Sequence, residues 1–151
     1  MNKPEMMHKI EAVIEDAKAG ILATVGADGR PHARWMTPVV LAPWPENLFA
    51  VTSPDFPKIQ QLEQQPRVEW MLQTRSLDQI INIRGVIRIV DNPSFKAQVI
   101  EAIGKKLTVF WTVSKGKTDF VVLETIIEEA AWFSPLKGLR EVVSFRPEGG
   151  T

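Results

Sequence analysis

The stretch GILATVGADGRPHARWMTPVVLAPWPENLFAVT, Gly20 to Thr52, decides the fold. "GILATV" reads as a strand, and Asp28-Gly29 inside "GADGRP" is a tight-turn signal. "HARWMTPVVLA" follows at once, so the two runs make a hairpin. "APWPEN" reads as the next turn and "NLFAVT" as a third strand. Three strands in succession leave no room for crossover helices. This argues against a parallel doubly wound sheet.

Outward from that stretch, residues 4–18 have helical spacing, with Met6, Ile10, Val13 or Ile14, and Ala17 on one face. Pro4 suits the first turn and Gly20 a C-terminal stop. Residues 55–65 read as a short helix with Ile59 and Leu62 apolar, and "RVEWMLQ" as a fourth strand. "DQIINIRGVIRIVDN" is a long fifth strand, in which Gly85 marks a bulge or a close backbone approach. "DNPSFKAQVIEAIGKK" is a helix with Asn92 or Asp91 near its cap and Pro93 in its first turn. Residues 107–118 fit strand, loop or continuing helix. "DFVVLETIIEEAAWFS" is another long strand, unless Glu128 to Ala131 form a turn within it, and "LREVVSF" a final strand. The expectation is a mainly β fold with flanking helices. Six or seven mostly antiparallel strands would form a closed or partly closed barrel in one domain over 1–151, with a loose tail from about 147.

Lys plus Arg and Asp plus Glu both number 18, so the formal charge is zero and no global field draws the chain to nucleic acid or an anionic membrane. There are no cysteines, which removes disulfides, thiolate metal sites and cysteine nucleophiles. No segment approaches the ~20 apolar residues of a membrane helix, and the N-terminus lacks a signal-peptide core. The expected location is the cytoplasm. Two histidines, His8 and His32, sit on different elements and make a metal site a poor reading. No phosphate loop or nucleophile elbow occurs. Glu128-Glu129 reads as a solvated turn.

One constellation remains. Alternation along "ARWMTP" sends Arg34 and Met36 to one face and Ala33, Trp35 and Thr37 to the other. Arg34 fits an edge-strand side chain reaching solvent, or a planar fork holding a carboxylate or phosphate. The third strand ends in Thr52 and Ser53, where a helix begins, with Lys58 about one turn inside. Ser53 or Asp55 as a simple cap is one reading. A phosphate held by two hydroxyls, a helix start, Lys58 and Arg34 is the other.

These same segments carry a resemblance. "ILATVGADGRPHARWMTPVVL" and "NLFAVTSPDFPKIQQLEQQPRVEWML" resemble the FMN-binding split β-barrel proteins related to pyridoxamine 5′-phosphate oxidase, in the branch called general stress protein 26-like. "INIRGVIRIVDN" and "FVVLETIIEEAAWF" resemble the family's long strand and its late strand, so the likeness covers roughly 5–134. It implies a homodimer with FMN between protomers. Arg34 and Lys58 would bind the FMN phosphate, with Thr52 and Ser53 adding contacts. Trp35, Met36 and Thr37 would run past the isoalloxazine or ribityl chain. Gln79, or Asn82 in another register, would reach the flavin from the partner. The implied activity is hydride transfer through flavin N5 with a small-molecule substrate or nicotinamide donor, and no nucleic acid or membrane partner. The alternative is a non-catalytic flavin sensor or reservoir. Relatives that hold haem or F420 offer a third reading, with His8 or His32 as the histidines available to haem. Trp111 and Trp132 would pack the core or cover the flavin. The end of the chain lacks the Trp-x-Arg motif of pyridoxal-phosphate-forming oxidases, since neither Arg140 nor Arg146 has the preceding Trp. This speaks against pyridoxamine phosphate as substrate.

Overall fold

The structure is a computed structural model and describes residues 1–52, 59–106 and 120–147. α1 (Lys3–Ala17) is capped by Asn2, whose side-chain oxygen accepts the Glu5 amide at 2.9 Å. Met6, Met7, Ile10 and Val13 form its buried face. It stops at Lys18, whose φ is 68°. Gly20 is therefore not the helix stop expected of it and instead starts β1 (Gly20–Val25).

β2 (Pro31–Met36) pairs with β1 in register from Gly20↔Met36 to Val25↔Pro31. In the turn between them the Gly29 amide donates to the Gly26 carbonyl at 2.9 Å, and Gly29 takes the left-handed φ of 78° that the turn needs. The second run is an extended path with a break in it. Thr37-Pro38 divides β2 from β3 (Val39–Leu41), which pairs instead with β4 (Trp44–Thr52). Proline has no N–H for a ladder, so the change of partner falls where it stands. The expected turn "APWPEN" shrinks to Ala42-Pro43, because Leu41 pairs with Trp44 and residues 44–47 already belong to β4.

The remaining elements are α2 (Ile59–Gln64), β5 (Arg67–Gln73), β6 (Ile80–Val90), α3 (Pro93–Lys106), β7 (Val121–Ser134) and β8 (Leu139–Ser144). Of the helix expected over 55–65, residues 55–58 lie outside the described residues, as does the segment 107–118. The eight described strands form one antiparallel sheet in the order β2-β1-β5-β6-β7-β4-β3, with β8 paired to the C-terminal part of β7. The count is eight rather than six or seven because the second run is divided at Pro38. β2 and β3 end opposite sides of this order, yet only Thr37 and Pro38 separate them. Three Cα steps span at most about 11 Å. The sheet must curl until its edges approach, which makes a partly closed barrel.

Two clusters hold it together. The inner one joins Met6, Ile10 and Val13 of α1 to Leu22, Trp70, Leu72, Ile81, Ile83 and Trp132. The outer one packs Val99 and Ile103 of α3 on Phe49, Val90 and Val122, with Trp44 and Phe95 edge-to-face at 4.9 Å. α3 thus covers only part of the outer sheet face. Glu128 and Glu129 are not a solvated turn. They lie within a continuous β7, where Arg84 pairs with Glu129 and Gly85 with Ile127, leaving Glu128 as the extra residue of a bulge. A Cβ on Gly85 would run into the Ile126 carbonyl oxygen, so this close approach needs glycine.

Candidate functional site

β2 is an edge strand, and its two faces have different tasks. His32, Arg34 and Met36 are half-buried, while Pro31, Ala33 and Trp35 are exposed. Trp35 is 81% exposed. Met36 packs against the inner core, which identifies that face as the inner one. Arg34 lies across from Leu22, and its Nη2 donates to Thr24 Oγ1 at 2.8 Å. Thr24 is 3% exposed. Burial lowers the Arg34 pKa from its ordinary value, because a partly dehydrated guanidinium loses hydration that its charge would otherwise enjoy. An anion set against it would return that lost stabilisation.

Thr37 is half-buried at the break. Thr52 closes β4, half-buried and paired with Val121. Arg34 and Met36 thus lie on the inner face of the edge strand β2, and Thr52 ends β4, the neighbour of the opposite edge strand β3. Ser53 and Lys58 lie outside the described residues. Of the expected grip, the described part is the Arg34 guanidinium, turned inward and held by Thr24, a group whose chemistry suits a phosphate monoester.

Gln79 stands just before β6, its amide donating to Thr74 Oγ1 at 3.1 Å. Its side-chain oxygen accepts from Trp132 Nε1 at 3.0 Å. Trp132 is itself part of the inner core, with the Lys9 ammonium 4.6 Å from its ring centre, so packing is its observed role. Gln79 is thereby engaged on the core side. Asn82 takes the opposite face, in a cross-strand row that runs Trp35, Ile21, Met71, Asn82, Ala131 and Val142. Trp111 lies outside the described residues. His8 is exposed on α1, whereas His32 is half-buried on β2. Among the described residues no three metal-ligating side chains cluster.

Two features escaped the sequence reading. One is Thr24, a buried hydroxyl in an apolar strand. Its signal was parity, two residues on from Leu22 and so facing the same way. The other is a groove of about 700 Å³ lined by Arg67, Glu69, Arg84, Glu128, Glu129 and Arg146 among others. Arg84 Nε donates to Glu69 at 2.9 Å, and this bond, followed by the charges of Glu69 and Glu129, raises the Arg84 pKa. Arg146 reaches Glu128 at 3.1 Å. No sequence distance links these groups. The bulge and the strand order do.

Several solved structures share the fold. A protein related to general stress protein 26 from Clostridium acetobutylicum matches with a TM-score of 0.73 at 12% identity, over 96% of this chain and 97% of that one. A pyridoxamine 5′-phosphate oxidase-related, FMN-binding protein from Nostoc punctiforme gives 0.68 at 16% identity, over 93% and 96%. A haem storage protein from Vibrio cholerae gives 0.67 at 21% identity, over 89% and 95%. At such identities the likeness is one of fold. No curated protein matches the sequence. The family model of pyridoxamine 5′-phosphate oxidase matches residues 6–132, from α1 through Trp132 and with Arg34, Thr52 and Gln79 inside the match; the chain belongs to that family.

Proposed function

We propose that this chain binds FMN as a homodimer and works as an FMN-dependent oxidoreductase on a small-molecule substrate. The observation that carries the reading is the Arg34 guanidinium, half-buried on the inner face of an edge strand and held by a buried threonine. A solvent-reaching arginine needs no such arrangement. The phosphate would lie against Arg34 and Thr52, and Lys58 and Ser53 belong to the same grip by sequence. The backbone of Trp35 to Thr37 would line the path of the ribityl chain and ring. Bound flavin supplies hydride transfer at its own N5, so the protein's part is to hold and orient it.

The outer face supports the dimer. Trp35, Met71, Phe133 and Val142 are all exposed there, beyond the reach of α3. Beside them runs the row Glu69, Arg84, Glu129, whose alternating charges suit a second copy of the same surface. Arg34 and Trp35 are neighbours on β2 with opposite facings, so a docked copy would sit one strand thickness from the phosphate grip. Of the two candidate partner contacts, Asn82 is the one on that face.

The test is spectroscopic. FMN added to the protein should bind with perturbed flavin bands, and NADH or NADPH should reduce it anaerobically. Flavin that binds and resists every nicotinamide donor would make the chain a flavin store. A protein that takes haem and ignores FMN would overturn the proposal. Arg34→Ala should weaken FMN by about 10–100-fold, the range of a charge-assisted contact, and riboflavin hardly at all.

A further inference from the structure

We infer that Thr24 is a positioning residue that sets the direction of the Arg34 guanidinium. This rests on the reading of Arg34 as a phosphate ligand. Thr24 occupies an inner-face position of β1 between the buried Leu22 and the end of the strand, and it is almost fully covered. A hydroxyl there needs a hydrogen-bond partner, whereas valine would fill the same space without one. The partner it has is Arg34, at 2.8 Å.

The bond has a direction. Arg34 lies across from Leu22, but Thr24 lies across from His32. The Arg34 side chain therefore leans diagonally back along β2 toward the hairpin instead of rotating out past the strand edge. Thr24 accepts one N–H of Nη2. A planar guanidinium held at one N–H has its fork orientation restricted, which is what recognition of a phosphate by two parallel bonds requires. Thr24 touches no ligand in this account and acts only through Arg34.

Thr24→Val keeps the shape and removes the acceptor. FMN and riboflavin dissociation constants, read by quenching of flavin fluorescence, separate positioning from general damage. Thr24→Val should raise the FMN constant about tenfold, the worth of one hydrogen bond to a charged group. Riboflavin should change less than twofold. Thr24→Ser, which restores a hydroxyl, should recover most of the FMN affinity. Equal weakening of both flavins, no change in either, or no recovery with serine would overturn the inference while leaving Arg34 in its role. If Arg34→Ala itself fails to discriminate FMN from riboflavin, the phosphate reading falls and Thr24 falls with it.

Discussion

Trp70 shows how much one polar atom decides inside this barrel. Its ring is 1% exposed, and its Nε1 donates to Thr125 Oγ1 at 3.0 Å across from β5 to β7. Thr125 is equally buried, so the pair satisfies two groups that water cannot reach. Trp70→Phe keeps most of the apolar contact but strands the threonine hydroxyl. The expected loss is about 1–3 kcal/mol, visible as a lower urea midpoint with an unchanged slope. A loss near zero would mean that the hydroxyl oxygen finds another donor. Glu124 follows the same rule. It is 1% exposed, and it accepts from Asn47 at 2.6 Å and from Arg88 Nε. Neither partnership was readable beforehand, because 77 residues separate Asn47 from Glu124 and 55 separate Trp70 from Thr125.

At the scale of elements, the local signals told most of the story. β5 runs over Arg67–Gln73, the whole of the fourth strand read in "RVEWMLQ", and Asn92 caps α3 through the Phe95 amide at 3.1 Å. The Gly85 signal was also sound, and its cause is now visible in the bulge opposite Glu128. Gly85→Ala should cost about 1–3 kcal/mol through overpacking against Ile126 and Thr125. Thermal unfolding would register it, and a neutral result would show that β7 can slide aside. The errors share one physical origin. "HARWMTPVVLA" is continuous in propensity but changes partner at Pro38, and "EEAA" looks like a turn although pairing on both sides holds it in β7. Propensity is a property of a segment, while strand boundaries depend on what lies alongside.

For the whole molecule, the outer face exposes several large apolar side chains among the described residues. They include Trp35 of β2, Met71 of β5 and Val142 of β8, which the sheet order sets in one cross-strand row, with Phe133 of β7 beside it. If a second copy covers that row, Trp35→Ser should shift the protein toward monomer in sedimentation, with little change in thermal stability of the monomer itself. An unchanged sedimentation coefficient would place the dimer contact elsewhere. If the proposed FMN grip at Arg34 and the proposed dimer face at Trp35 both hold, the same substitution should also lower FMN affinity, because both would share β2.

The amino-acid sequence alone determined that this is a strand-rich chain with hairpin connections, that thiol chemistry is excluded, and that Arg34 and Thr52 are worth attention. These follow from composition, from period-two alternation and from turn chemistry, all of which act over a few residues. The closing of the sheet, the turning of Gln79 toward Trp132, and the bond from Thr24 to Arg34 were decided only by the tertiary structure. Each depends on which strands lie side by side and in what register. Hydrophobic burial rewards that arrangement over the whole curled sheet at once, so no single segment records it.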